Sequence, residues 1–487
     1  MKREGLIKQM AEEKRPWDLL IIGGGATGLG VAVDASSRGY RVLLVEQHDF
    51  AKATSSRSTK LVHGGVSMVV EALHERGRLW RNAPHLVKDM RFIIGNYRWW
   101  ERPFYTIGLC CYDLLAGRLG LGRSLPLSKK QTLKELPGLL HDHLRGGVVY
   151  HDGQFDDSRM AITLMQSAHD HGAICINYMK VTSLIKNDSG KICGAALEDT
   201  LEGGTYEVNV KGVVNATGVY VDDIMQMDKP ESRKKVRPSQ GVHIVVDAAF
   251  LGGNSALMIP KTRDGRVLFG VPWHGKAVLG TTDTPLNENS LEPKPLDEEI
   301  DFILDQAGQY LTRKPKRSDV LSVFAGLRPL AAPTHSDSKK TKEISRNHKI
   351  YVSDSGMLTI TGGKWTTYRQ MAEEAVNKVA ALIGLEPRAC VTRKMQLHGY
   401  WEEVDRSVWD YVYGSDADQI AALIENDASL GELLHIGYTF RVAHVIWAVR
   451  EEMAQTVEDV LARRVRALFM DARAAMEMAP RVAAIMA

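Results

Sequence analysis

Three glycines, Gly23, Gly25 and Gly28, lie between the apolar run Leu19-Leu20-Ile21-Ile22 and an alanine-rich stretch of helical pattern. Their spacing suits a dinucleotide. Gly23 permits a tight turn, Gly25 lets the backbone approach a pyrophosphate, and Gly28 lets the helix pack closely on the sheet, while the helix start at Ala26 and Thr27 points free N–H groups at the phosphates. Glu46 closes a second apolar run, 42–45, eighteen residues beyond Gly28. A carboxylate at that distance accepts ribose hydroxyls and disfavours a 2′-phosphate. These residues alone admit NAD as readily as FAD.

The elements that must position them follow from the same pattern. Neither apolar run alternates, as expected of parallel strands covered on both faces. Beyond them, 156–171 has helical spacing and 173–178, 180–186, 192–197 and 205–210 read as short strands in a meander. The chain returns to the nucleotide core at 212–219. From 237 to 284 the pattern is β, with strands near 242–246, 256–260, 267–272 and 277–281, and 296–311 is helical. A solvated loop at 334–342 precedes strands at 350–353 and 358–361, and Gly362-Gly363-Lys364 opens a helix through Leu382. Past Pro387 the segments 417–426, 441–454 and 457–475 are helical. The predicted architecture is α/β: a Rossmann-like domain (17–85, 151–235, 326–386) interleaved with an antiparallel-sheet substrate domain (86–150, 236–325), then an all-helical C-terminal cap (387–487).

Composition bounds the function. A chain of 487 residues with 44% hydrophobic and 25% charged residues is an ordinary globular protein of two to four domains. A net charge of +3 offers no general attraction to nucleic acid. Cys110, Cys111, Cys175, Cys193 and Cys390 are odd in number and lack metal-ligand spacing, so a reducing compartment and no metal site are expected, with Cys110 and Cys111 in the core. The charged segment 1–17 lacks the apolar stretch of a signal peptide, and no run of eighteen apolar residues predicts a membrane span. The segment 97–115 gathers Trp99, Trp100, Phe104, Tyr105 and Tyr112 beside Lys88, Arg98 and Arg102. It suits either a membrane headgroup boundary or an aromatic cluster packed between domains, and the sequence alone favours the cluster.

With these pieces in order, nearly the whole chain resembles the FAD-dependent, respiratory glycerol-3-phosphate dehydrogenases. The resemblance is carried by the glycine turn 23–28, the block Thr54-Ser55-Ser56-Arg57-Ser58-Thr59-Lys60-Leu61-Val62-His63-Gly64-Gly65, the strand Asn215-Ala216-Thr217-Gly218, and the turn Gly280-Thr281-Thr282-Asp283. It is carried as well by Gly326-Leu327-Arg328-Pro329, by Gly362-Gly363-Lys364-Trp365-Thr366-Thr367-Tyr368-Arg369, and by the helical tail. It implies FAD, with Ser55, Ser56, Thr59, Lys60, His63 and Gly64 under the flavin and its phosphates, backbone bonds from Val181 to adenine, and Thr217, Gly218 and Asp283 nearby. The turn through Gly363, Trp365 and Thr366 would direct positive partial charge at the flavin. For the substrate, the resemblance implies His243 as general base, Lys364 orienting the hydroxyl or sharing the proton, and Arg328 and Arg346 on a phosphate. Read without it, His243 beside the apolar residues 244–246 is a core histidine. The implied reaction oxidises sn-glycerol 3-phosphate to dihydroxyacetone phosphate and passes electrons to a quinone. The implied setting is the inner face of the cell membrane, approached from the cytoplasm, with a homodimer as the implied assembly; an oxidase using oxygen is the alternative.

One departure bears on the substrate side. The family continues His-Gly-Gly with an aliphatic residue and Arg-Tyr-Leu, whereas here Gly65 runs directly into Val66-Ser67-Met68-Val69-Val70-Glu71, which reads as the following helix. Three readings are open. The segment is lost in a weakened or altered flavoprotein, it is missing only from the sequence as written, or Ser67 serves another substrate. Losing one partner of a buried charged contact costs about 1.5 to 3 kcal/mol, roughly ten- to a hundredfold in affinity. An intact mass above 54.0 kDa would select the second reading.

Overall fold

The computed structural model describes residues 1–63, 69–332 and 348–487. The first sheet has eight strands among these residues, and its core is parallel: Leu358–Thr361, Thr205–Asn215, Trp17–Ile22, Val42–Val45 and Ile174–Ile176 lie side by side in that order. Leu19, Leu20, Ile21, Val42, Leu43 and Leu44 are wholly buried, which is why neither run alternates. The helices Ala26–Ser37, Asp157–Asp170 and Tyr368–Leu382 cover the sheet.

The meander is present as Met179–Lys186, Ile192–Asp199 and Thr205–Asn215. Residues 205–210 and 212–215, expected as two strands, form one, whose first half pairs with the meander and whose second half pairs with Trp17–Ile22. The second sheet has ten strands among the described residues and is mostly antiparallel, with Val236–Asp247, Lys276–Gly280, Leu268–Trp273, Ala256–Ile259, Val87–Asn96 and Gly146–Phe155 in sequence across it. Leu61–Val62 joins its far edge, so the block 54–63 passes from one sheet to the other. A strand not expected from the sequence, Ser322–Ala331, pairs with Val236–Asp247 along its length and carries the sheet beyond residue 325.

Two further elements depart from expectation. An additional helix, Arg3–Glu12, precedes the first strand and is tied by Arg3 to Asp199 at 2.8 Å. The segment 457–475 is broken rather than continuous: Arg466 takes a left-handed conformation between the turn Asp459–Arg464 and the helices Ala467–Met470 and Ala472–Met486. Arg463, Arg464 and Arg466 are buried and point back to Asp49 and Asp157. Buried ion pairs and a shared hydrophobic core thus join the helical cap to the nucleotide domain.

The aromatic segment forms the helix Glu101–Ala116. Tyr105 and Leu109 pack on the second sheet, but Trp99 is 77%, Ile107 67% and Leu114 80% exposed. The interdomain packing favoured by the sequence is therefore wrong for the outer face. Cys110 and Cys111, expected in the core, are also exposed, because they fall on that face. Among the described residues no helix is long and apolar enough to cross a membrane.

Candidate active site

The glycine turn shapes the floor of a cleft of about 1240 Å³. Trp17–Ile22 ends at the turn and Ala26–Ser37 leaves it, with Gly25 at the helix N-cap. A Cβ on Gly28 would stand 1.9 Å from the Gly23 carbonyl oxygen, so helix and turn meet at a distance only glycine allows. Gly23, Gly25, Ala26, Thr27, Glu46, Ser55, Val181, Thr217 and Gly218 all line this cleft, as their expected roles require. Glu46 accepts hydrogen bonds from the backbone N–H of Gly24 at 2.7 Å and His48 at 2.9 Å. Burial raises its pKa despite these bonds, so hydroxyl donors on a ligand would stabilise the carboxylate further.

The cleft opens into a second cavity of about 1010 Å³, and the two share Thr54, Pro329, Gly362, Gly363, Lys364 and Trp365. The shared wall is fastened across the fold: the Trp365 indole donates to the Ser55 carbonyl at 2.9 Å, and the Thr366 hydroxyl accepts from the His63 N–H at 3.2 Å. Gly363 has φ +80°, and a Cβ there would lie 2.4 Å from Met371 Sδ. The conformation and the space both require glycine.

Residues 18–369 match the family described as FAD dependent oxidoreductase, and residues 357–487 match the C-terminal domain of alpha-glycerophosphate oxidase. The probable mitochondrial glycerol-3-phosphate dehydrogenase of Caenorhabditis elegans is 40% identical, over 96% of this chain and 70% of its own. The mitochondrial glycerol-3-phosphate dehydrogenase of Homo sapiens is 39% identical, again over 96% and 70%. The solved glycerol-3-phosphate dehydrogenase of Bacillus halodurans, complexed with FAD, superposes with a TM-score of 0.82 at 32% identity, covering 99% of this chain and 92% of that one. The chain belongs to the FAD-dependent glycerol-3-phosphate dehydrogenase family. The cofactor of this family member is FAD, and a cleft with a glycine floor and the Glu46 carboxylate in its wall fits it.

Thr59, His63, His243, Arg328, Lys364 and Thr366 line the second cavity. His243 stands on Val236–Asp247, stacked on Phe324 at 4.9 Å, with Nε2 2.9 Å from the Thr59 hydroxyl. Its Nδ1 is buried without a hydrogen-bond partner among the described residues. Burial, with Lys60 and Arg328 as like charges, holds its pKa well below the ordinary value, so the ring is neutral near pH 7. Arg328 donates to Asp283 at 3.1 Å, to the Thr281 hydroxyl at 3.0 Å and to the Thr282 carbonyl at 2.9 Å. A quarter of its side chain remains exposed.

Other expected residues are placed elsewhere. Lys60 and Ser56 do not line either cavity. The Lys60 ammonium is fully buried, 2.7 Å from Asp157 and from the Ser56 carbonyl, because Asp157 and Arg466 form an ion cluster beneath the block. Burial outweighs Asp157 and lowers the Lys60 pKa to about 8. Asp283 also lies behind the wall, bonded to Arg328 and Ser239. Gly64 and Arg346, with Gly65 and Ser67 of the departure, lie outside the described residues. Sequence reading missed Arg57, which lines the second cavity and pairs with Glu292 at 2.6 Å, and Leu291, which lines the cleft. Arg57 stood inside the diagnostic block. Leu291 gave no signal, because its loop is placed by the distant contacts of Glu292 and Asn289.

Proposed function

We propose that this protein oxidises sn-glycerol 3-phosphate to dihydroxyacetone phosphate and passes the two electrons to a membrane quinone. One observation carries the reading: a neutral imidazole, a lysine and an arginine line a single cavity that shares part of its wall, Gly362 to Trp365, with the dinucleotide cleft. FAD, when bound, supplies the two-electron acceptor for the hydrogen leaving the secondary carbon.

The chain's own residues do the rest. Gly25 and Thr27 would hold the pyrophosphate through backbone N–H groups, while the N–H groups of Gly23 and Ala26 are spent on the Val45 carbonyl and the Ser55 hydroxyl and fix the turn itself; Glu46 would hold the ribose, and Val181 would meet the adenine. The N–H groups from Gly363 to Thr366 set positive partial charge beside the flavin. His243, neutral and desolvated, takes the substrate hydroxyl proton at Nε2, the nitrogen that meets the Thr59 hydroxyl beside the cavity, and Lys364 orients the hydroxyl. Arg328, held flat by Asp283 and Thr281, presents its exposed edge to the phosphate, with Arg346 as the second cation.

Anaerobic mixing with glycerol 3-phosphate tests this reading. Bound FAD is expected to lose its visible absorbance within one turnover. FAD that stays oxidised with glycerol 3-phosphate but bleaches with another hydroxy acid or an amino acid would sink the substrate assignment. Peroxide formed as fast as substrate is consumed, without quinone, would favour the oxidase.

The outer face of Glu101–Ala116 supports the membrane contact, because Trp99, Phe104, Ile107 and Leu114 are exposed beside the exposed cations Arg98 and Arg102. Aromatic and aliphatic side chains flanked by cations suit an anionic bilayer surface. The protein should sediment with phosphatidylglycerol vesicles at low and moderate salt. Protein left in the supernatant under both conditions would remove the membrane from the proposal.

A further inference from the structure

Four cations line a third cleft, which shares no lining residue with the other two. They are Lys88 and Arg91 on the strand Val87–Asn96, Lys134 on the helix Lys129–Glu135, and Arg406 from the C-terminal cap. Gly253, Asn254 and Ser255 form the opposite rim.

The carboxylates of the cleft are already engaged. Asp89 meets His151 Nδ1 at 2.7 Å, and Glu135 accepts from Arg91 at 2.9 Å and from the Ser255 hydroxyl at 3.0 Å. Among the described residues, Lys88, Lys134 and Arg406 have no carboxylate within ion-pair distance. Arg406 is anchored instead by donating to the Pro84 and Val87 carbonyls, which fixes the guanidinium without neutralising it.

This leaves a surplus of positive charge where three segments converge. Lys88 is largely withdrawn from water, and the charged neighbour acting on it is Arg406, a second cation. Burial and that repulsion together lower its pKa to about 8, and burial pulls down Arg406 as well. A largely buried cation beside a second cation costs stability unless a counter-charge joins them, even though Arg406 and Lys134 reach solvent. Cations on three separate segments suit a tetrahedral, multiply charged oxyanion better than a single carboxylate, because each can meet a different oxygen.

We propose that this cleft is a second anion site, which takes a small phosphate-bearing ligand between Lys88, Lys134 and Arg406. It lies between the second sheet and the cap, so an occupant would add Lys134 to the contact that Arg406 of the cap already makes with the Pro84 and Val87 carbonyls.

The test is thermal unfolding of the FAD-loaded protein in inorganic phosphate, against chloride at matched ionic strength. Phosphate should raise the Tm of the wild type. Lys88→Met should raise the Tm without phosphate, by removing an unpaired charge, and should shift half-saturation to phosphate concentrations about tenfold higher or more. Lys134→Met, at an exposed position that tolerates change, should weaken the response in the same direction. Phosphate also resembles part of the proposed substrate, so Arg328→Gln serves as the control, and the response should persist in it. A response that vanishes in Arg328→Gln but survives in Lys88→Met belongs to the substrate cavity and overturns the proposal. So does an equal response in the wild type and both lysine variants, or no response at all.

Discussion

The dinucleotide cleft is walled at its closest points by backbone, with Gly23, Gly25, Gly362 and Gly363 facing inward, whereas the cavity it opens into is walled by side chains that carry or refuse charge. The first is a matter of steric room, because a Cβ at Gly28 would reach 1.9 Å from a carbonyl oxygen. The second depends on electrostatic balance, because burial and the like charges of Lys60 and Arg328 hold the His243 pKa well below its ordinary value. The two should therefore fail in different ways. Steric walls fail outright and independently of pH, while charged walls fail by degrees.

The sharpest way to break this contrast lies at the glycine turn. Gly28→Val should yield protein that folds around its other strands but carries about a tenth or less of the normal flavin, since overpacking of 1 to 3 kcal/mol falls directly on the turn. The absorbance ratio of flavin to protein measures it. Full flavin content in this variant would show that the turn can relax, and that its backbone is not the limiting wall.

At His243 the contrast predicts the reverse pattern, with chemistry lost and cofactor kept. His243→Asn should lower kcat by about a hundred- to ten-thousandfold while flavin content stays at the wild-type level. The pH profile adds a second reading. A histidine whose pKa lies well below the ordinary 6.5 stays a competent base through that value. kcat/KM should be flat across pH 6.5 and fall only at more acidic pH, and an inflection at 6.5 would contradict the desolvated environment assigned to His243.

Arg328→Lys should have a smaller effect, and chiefly on substrate binding. The lysine keeps the charge but loses the fork that meets Asp283, Thr281 and Thr282 together, so KM should rise about tenfold or somewhat more with kcat little changed. A fall in kcat at unchanged KM would reassign Arg328 from binding to the reaction itself.

The contrast also explains what could be read from the sequence. The glycine turn and Glu46 were legible because strand, turn, helix and acid follow one another locally, each constrained by the same geometry. Lys60 misled because its partner Asp157 lies nearly a hundred residues away, and nothing near Lys60 announces it. The strand Ser322–Ala331 was hidden by Gly326 and Pro329, which read as breakers. It tolerates proline because, among the described residues, it pairs only with Val236–Asp247 and stands at a sheet edge. Cys110 and Cys111 looked like core residues because their neighbours are apolar, yet the apolar side chains around them face outward. In each case the error lies where long-range charge or an unusual surface, rather than local periodicity, decides the placement.

The weakest expected effect tests whether charge also governs the joint between the domains. His398, at the start of the cap, bonds through Nδ1 to Asp170 at 2.7 Å and through Nε2 to Asp416 at 2.9 Å. Burial pushes its pKa down, but the two carboxylates outweigh burial and raise it to about 10. The folded state therefore binds this proton more tightly than the unfolded state does. The stabilisation is complete below about pH 6.5 and is lost as pH climbs toward 10. His398→Gln should cost about 1.5 to 3 kcal/mol at pH 6 and progressively less above pH 8, so the Tm curves of variant and wild type should converge on the alkaline side. A constant gap from pH 6 to 10 would mean that shape rather than charge holds this joint, and that the steric rule of the nucleotide cleft extends into the cap.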